Sequence, residues 1–371
     1  MKFTCATEIF SKAVGLASIS VPTSGTGELA SAILLKAEND KIEVSAVSMD
    51  TNTSVSMPSE VMASGAIMLP AHVFVDMIKR FSGDMIEFEA DEKYLVTMKS
   101  GRTKCEIAGA NPGDFPEAPE IKPEREIKIS EKTFGEMIKG TSFAASTNEQ
   151  RPTIMGCLLD IEDEVVRMVA IDGYRIAIVE YAKAGEGENG KVNIPASALR
   201  EWAKISDGAE EEIVIKISQK NISIEKTADD MEIKFVSRVI NGEFMEWQKF
   251  IPPAFENEII LEKSDLCRAI ERVSTVLTVT QKAPIRMSFE KKGVHLSCET
   301  PIGKANDEII KENNIEPLVM GFNNKFLYDA AKNADSDSIK LQWNGPTDAM
   351  LLTNPAEGEK RYKYMVLPVR L

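Results

Sequence analysis

Residues 68–88 read MLPAHVFVDMIKRFSGDMIEF, and the pattern returns as NIPASALREWAKISDGAEEEIVI at 193–215 and as GFNNKFLYDAAKNADSDSIKL at 321–341. Each stretch joins an apolar strand end to a helix with period-3.6 apolar positions and then to a second strand-like run. An offset of 125 sets Phe74 on Leu199, Met77 on Trp202, Ile78 on Ala203 and Lys79 on Lys204. An offset of 253 sets Phe74 on Leu327, Asp76 on Asp329, Ile78 on Ala331 and Lys79 on Lys332. This period exceeds the roughly 20–50 residues of a solenoid unit, so the repeated object is a whole domain.

Working outward, each third opens on a short strand and a first helix: MKFTCATEIFSKAVGLAS, IKISEKTFGEMIKGTSFA and IILEKSDLCRAIERVSTV. Ser130, three residues before Thr133, predicts an N-cap without the full capping box, and Ser264 with Asp265 predicts a similar cap in the third copy. Hairpins are expected at AILLKAENDKIEVSAV, GCLLDIEDEVVRMVAI and IRMSFEKKGVHLSCET, each two apolar runs around a polar turn. The second helix follows, then closing strands such as IEFEADEKYLVTMKSGRTKCEIAG. The fold class is α+β with mainly antiparallel sheets. Proline-bearing polar stretches, NPGDFPEAPEIKPERE and FIPPAFENE, set domains at 1–125, 126–252 and 253–371. AKAGEGENGK (182–191) reads as an exposed hairpin tip.

The chain has 371 residues, enough for three domains that each bury a core. Its 43% hydrophobic and 27% charged residues are those of an ordinary globular protein. No run approaches the ~18 apolar residues of a membrane span. The opening MKFTCATEIF lacks an apolar signal region, which predicts a cytosolic location. Cys5, Cys105, Cys157, Cys267 and Cys298 are widely spaced and form no C-x-x-C pair, so reduced thiols are expected rather than a metal site or disulfides. His72 and His295 show no metal-ligand spacing and read as surface residues of a helix or strand.

The net charge of −14 argues against nucleic acid until its distribution is read. Six predicted helix windows (8–20, 71–82, 131–145, 196–207, 263–275 and 324–334) hold 12 Lys and Arg against 9 Asp and Glu, a net of +3, leaving −17 elsewhere. Any single lysine can be a solvated helix residue, but Lys79, Lys204 and Lys332 recur at one position. A mildly cationic helix surface suits loose, sequence-independent contact with duplex phosphates. Nothing interleaves aromatics for single-strand stacking. Nucleophile-elbow, Walker, Rossmann and H-E-x-x-H motifs do not occur. GTGEL at Gly25 lacks the Lys-Ser/Thr of a phosphate loop. Asp50 in SMDTNT and Asp172 in AIDGYR take matching strand-end positions, which suggests turn chemistry more than paired acid–base work.

VAIDGYRIA (169–177), FVSRVINGEFMEW (235–247) and YMVLPVRL (364–371), with the opening MKFT and the threefold repeat, resemble the bacterial sliding clamp, the β subunit of DNA polymerase III, over the whole chain. The resemblance implies a head-to-tail homodimer whose six domains close a ring, with twelve helices lining a channel for double-stranded DNA and sheets outside. It implies a clamp loader, the replicative polymerase and other peptide-bearing proteins as partners, with no membrane, cofactor, metal or catalytic residue. The channel cations would be Lys12, Lys79, Arg80, Lys139, Arg200, Lys204, Arg268, Arg272 and Lys332. A partner-peptide groove would use Ile154, Ile171, Gly173, Tyr174, Arg175, Ile176, Met245, Lys249 and Phe250. The third domain would add Asn323, Phe326, Thr347, Ala349, Met365, Val366, Leu367, Pro368, Val369 and Arg370. The dimer interface would set Cys105 and Ile107 against Val276 and Leu277, and Arg102 and Lys104 against Asp307 and Glu308. Three places depart from the family pattern: Ile171 for the frequent Thr, GEFMEW for GEFPDY, and LPVR for MPMR. The competing class is an enzyme of unrecognised site, such as a phosphate-ester hydrolase.

Overall fold

The computed structural model describes residues 1–22, 31–119, 121–182, 186–278, 280, 282–356, 358 and 360–371. GTGEL and residues 183–185 therefore lie outside the described residues.

Three runs of elements follow one another. The first is β1 (Lys2–Ala6), α1 (Thr7–Ala17), β2 (Ala32–Glu38), β3 (Lys41–Val47), β4 (Thr51–Pro58), β5 (Glu60–Ala63), β6 (Gly65–Pro70), α2 (Ala71–Ile78), β7 (Met85–Ala90), β8 (Leu95–Ser100) and β9 (Thr103–Ala108). The second is β10 (Arg125–Ser130), α3 (Glu131–Thr141), β11 (Gly156–Glu162), β12 (Val165–Ile171), β13 (Arg175–Ala182), β14 (Glu186–Gly187), β15 (Gly190–Pro195), α4 (Ala196–Ile205), β16 (Glu212–Ile217), β17 (Asn221–Ala228) and β18 (Met231–Arg238). The third is β19 (Asn257–Glu262), α5 (Lys263–Val273), β20 (Ile285–Glu290), β21 (Gly293–Thr300), β22 (Gly303–Ile310), β23 (Leu318–Phe322), α6 (Asn324–Asn333), β24 (Ser338–Trp343), β25 (Met350–Thr353) and β26 (Lys360–Val366). The three expected hairpins are β2–β3, β11–β12 and β20–β21. In the first of them Asn39 and Asp40 take φ of 52° and 55°, the left-handed pair that a two-residue turn demands.

The compact units do not follow the sequence thirds. One gathers the first run together with β10, β14, Ser197–Ile205 of α4 and β16–β18. It holds a five-stranded sheet, β5-β1-β7-β8-β9, and a nine-stranded sheet, β14-β10-β16-β17-β18-β4-β3-β2-β6. The other gathers Phe134–Thr141 of α3, β11–β13, β15 and the third run. Its sheets are β15-β11-β12-β13-β26-β25-β24-β19 and β22-β21-β20-β23. Every described ladder is antiparallel. A sheet thus runs without a break from the second run into the first at β18–β4, and from the second into the third at β13–β26.

These two junctions repeat one register. The row Ile127, Ile215, Ile224, Phe235 ends opposite Thr53. The row Ile259, Leu341, Leu352, Tyr364 ends opposite Ala177. Ile127 and Ile259 each lie four residues before a first helix, and Thr53 and Ala177 hold the same place in their hairpins.

Cores grow from the inward rows. Phe3 stacks on Phe88 at 4.6 Å with Phe10 and Phe74 edge-on nearby, Trp202 leans on Phe235 at 6.0 Å, and Phe289 stacks on Trp343 at 4.1 Å. Such pairs add about 0.5–1.5 kcal/mol to their burial. All five cysteines are free thiols, and burial pushes Cys5 up to about 12.

One local expectation holds and three need correction. Ser130 does cap α3, its Oγ accepting from Thr133 N at 3.1 Å. Ser264 does not cap α5: Glu262 is the cap residue, and Ser264 Oγ and Asp265 Oδ1 instead accept from Arg268 Nη2. The partner of Asp172 in the first run is Ser48 rather than Asp50. Asp172 Oδ1 accepts from the N–H groups of Tyr174 and Arg175, and Ser48 Oγ from those of Asp50 and Thr51. The 182–191 stretch is no simple hairpin tip, because β13 and β15 lie on different neighbours and Glu186–Gly187 adds a strand to β10.

Candidate functional site

The β13–β26 junction carries an apolar cluster. Because side chains alternate along a strand, Leu158, Val169, Ile171, Ile176, Ile178, Leu351 and Met365 fall on one face of the eight-stranded sheet. Trp247 completes their cluster, and Phe244, Met245, Ile251, Phe255 and Ala349 pack against its margin. Exposed above it are Tyr174 at 61% and Phe250 at 48%, with Leu367 and Val369 at 38%. Large apolar side chains this exposed, beside a buried apolar floor, mark a surface built to be covered.

The backbone shapes the rim. Gly173 takes φ of 92°, a left-handed turn that favours glycine, between Asp172 and Tyr174. The tail after β26 is fixed by its own chain: Leu367 N donates to Tyr174 O at 2.9 Å, and Val369 N to Gly321 O at 2.8 Å. Leu371 then lies over Gly321, where a Cβ would meet its Cδ2 at 2.6 Å. Asn323 caps α6, accepting from Lys325 N and Phe326 N, so its amide serves the helix. Lys249 is paired with Glu246. Pro368 is half-buried, while Thr347 and Arg370 are exposed.

Arg175 is different in kind. It is 6% exposed, and its guanidinium donates to Asp172 at 2.9 Å, Asp329 at 2.7 Å and Phe143 O at 2.6 Å. It lies over the rings of Phe326 at 4.5 Å and Phe143 at 5.4 Å. Fully engaged, it fastens β13 to α6. A second fastening nearby joins Lys360 to Glu136 and Asp335, with Tyr181 also on Glu136. Burial would raise Glu136, but hydrogen bonds from Lys360 and Tyr181 outweigh it and hold the carboxyl low. Asp335 is held low by Lys360. Ile154 and Val366 are buried.

Of the groove residues named from the sequence, Ile171, Ile176 and Met365 lie in this cluster, and Met245 and Ala349 pack against it. Leu158, Val169, Ile178, Leu351, Trp247, Phe244, Ile251 and Phe255 join them without having been named. Ile251 and Phe255 stand in FIPPAFENE, whose apolar content is the signal available for them.

All nine nominated helix-region cations are exposed. Lys12 pairs with Asp229, Arg80 with Asp76 at 3.7 Å, Arg268 with Asp265 at 2.9 Å, and Arg272 with Asp307 at 2.5 Å. Lys332 lies over the Tyr328 ring at 5.6 Å. Lys79, Lys139, Arg200 and Lys204 also reach solvent.

The nominated interface residues sit on two sheet edges. Cys105 and Ile107 lie on β9, the edge of the five-stranded sheet, and Asp307 and Glu308 on β22, the edge of the four-stranded sheet. Ile107 is 7% exposed and turned to its own core, with Cys105 beside it half-buried. Val276 and Leu277, in and after the short turn that follows α5, are half-buried. Arg102 is exposed in the β8–β9 turn. Lys104 pairs with Glu106 at 2.6 Å, and Glu308 faces His295 at 3.3 Å.

This geometry defines a class: one domain plan used three times, joined edge to edge, with an apolar cluster over one junction. Comparison with known proteins then places the chain. Three family descriptions, the N-terminal, central and C-terminal domains of the DNA polymerase III beta subunit, match residues 1–119, 128–246 and 248–370. The chain belongs to the DNA polymerase III beta subunit family. A Staphylococcus epidermidis protein named beta sliding clamp is 26% identical over 381 residues, covering 100% of this chain and 99% of its own. A crystal structure of a putative DNA polymerase III beta subunit from Eubacterium rectale superposes with a TM-score of 0.91 at 26% identity, covering 100% of this chain and 99% of that one. The beta subunit from Streptococcus pyogenes shares the fold at a TM-score of 0.92 and 21% identity, with both chains fully covered. No helix among the described residues is long and apolar enough to cross a membrane.

Proposed function

We propose that the chain is a DNA sliding clamp: two copies close head to tail around duplex DNA and tether a polymerase during replication. The observation that carries the ring is the repeated junction. At both junctions within the chain, the fourth strand of one run pairs with the last strand of the next. The rule leaves β22 and β9 over, and they complement each other rather than themselves. Such a heterologous contact generates a ring when its rotation closes. The row Phe3, Phe88, Met98, Cys105 fixes the register, setting Cys105 opposite Ala305 and Arg102 opposite Glu308 of a second copy.

The domains on this reading are 1–125, 126–252 and 253–371, and their helices line the channel. Lys79, Lys204 and Lys332 give loose phosphate contact, since a closed ring holds DNA by topology and tight binding would resist sliding. A clamp loader opens the ring, and partner peptides seat their apolar end on Ile176, Met365 and Trp247. The clamp works in the cytosol with the DNA and performs no chemistry itself. The test is retention on nicked circular DNA. A loaded clamp stays on the circle and runs off within the time of linearisation. Lys79, Lys204 and Lys332 changed together to Glu lower loading while leaving dimerisation intact. Equal retention on linear and circular DNA overturns the ring.

A further inference from the structure

The apolar floor is bordered by a ladder of charges on the same sheet face. Asp160, Arg167 and Glu180 lie side by side on β11, β12 and β13. Arg167 reaches Glu162 at 2.9 Å, Glu180 at 3.4 Å and Asp160 at 3.5 Å, and its side chain is 14% exposed. Its guanidinium lies under the Trp247 ring, 6.0 Å from the centroid. Trp247 Nε1 is buried with no hydrogen-bond partner among the described residues, so no polar contact of its own fixes the indole. That indole opens the short turn Trp247–Phe250, which carries Lys249 and the exposed Phe250.

We infer that Arg167 is a positioning residue for partner-peptide binding, holding Trp247 and the turn behind it in the shape that receives the peptide's apolar end. The inference rests on the groove reading given under Proposed function. Glu162 holds the guanidinium by a hydrogen bond, while Asp160 and Glu180 attract it by charge alone, since Arg167 Nε has no hydrogen-bond partner among the described residues. The guanidinium plane sets the tilt of the indole, which packs on it through cation–π attraction. The corresponding residues of the other hairpins are Glu43 and His295, so a guanidinium stands at this place only over the apolar junction.

The test uses the full-length protein and a short synthetic peptide with an apolar Leu-Phe end, the end that the groove reading seats on Trp247. Arg167→Lys keeps the charge among the carboxylates and loses the planar face, so the fold persists. Peptide affinity should fall roughly five-fold, as the indole keeps a neighbouring cation but loses the flat face it stacks on. In a Trp247→Phe background the same change should cost less than about two-fold, because the loss acts through the indole. Equal losses in both backgrounds, or none in either, overturn the inference. Ile176→Asp separates the two readings: peptide binding that survives it removes the groove itself, whereas binding that it abolishes but Arg167→Lys leaves unchanged removes only the role of Arg167.

Discussion

The β18–β4 and β13–β26 junctions share a ladder and a register, yet among the described residues only the second carries an apolar cluster on one face. Over β13–β26 the face is Leu158, Val169, Ile171, Ile176 and Ile178 with Leu351 and Met365. The corresponding residues over β18–β4 are Leu34, Ser45, Val47, Asn52 and Ser54 with Ser223 and Val236. Backbone pairing therefore builds the joint, and the side chains of one face set the two joints apart. The fastenings differ as well. Arg175 meets Asp329 at one junction; at the other, Thr51 Oγ1 donates to Glu201 at 2.7 Å. The residues at the same places in the remaining copies of the plan are Gly303 on β22 and Asp76 on α2, and glycine has no side chain to offer. On the proposed ring, the joint between copies would follow the shared plan without its fastening.

Breaking the stronger fastening has the largest effect. Arg175→Met leaves Asp172 and Asp329 without their shared cation in a half-buried site. It should destabilise the chain by roughly 3 kcal/mol, read as a lowered midpoint in denaturant. An unchanged midpoint would show that the ladder alone holds the β13–β26 junction.

The second fastening gives a smaller, pH-dependent effect. Glu136 and Asp335 are held below their ordinary 4.5 and 3.8 by Lys360, once the opposing burial of Glu136 is outweighed. A depressed carboxyl contributes stability above its ordinary value and loses it as pH falls through the folded value. Thermal stability should therefore drop on acidification below about pH 4.5, and Lys360→Met should flatten that drop. A slope identical in the variant would remove Lys360 from the account.

The smallest effect sharpens the comparison. A Cβ on Gly303 would meet only Val276 Cγ1, at 3.5 Å, so an arginine fits. Gly303→Arg should supply the missing fastening to Asp76 of the second copy and tighten the dimer by up to about 1 kcal/mol, as exposed pairs do. Adding Asp76→Asn should cancel the gain. A gain that survives it would come from another contact.

Much of this plan was legible in the chain. The hairpins and both helices of each copy follow from apolar period and turn residues, because those signals are local. The strand joints were not legible, since pairing β4 with β18 depends on edges that meet from opposite ends of two copies. That Arg175 reaches Asp329 was not legible, because its motif says nothing of a residue 154 positions away. The pairing of Arg272 with Asp307 across 35 positions was not legible either, because neither local pattern names the other. The place of Trp247 was not legible, because its neighbours in the cluster come from five strands.

The central claim is the closure of β9 on β22 between copies, and a single engineered thiol tests it most directly. In a Cys298→Ser background, which removes the thiol opposite residue 305 within the chain, Ala305→Cys faces Cys105 of the second copy. Mild oxidation should give a covalent species near twice 40.9 kDa under denaturing conditions, abolished by Cys105→Ser. Cross-linking that instead requires Asp307→Cys would contradict the register, and a protein that remains monomeric at micromolar concentration would contradict the ring.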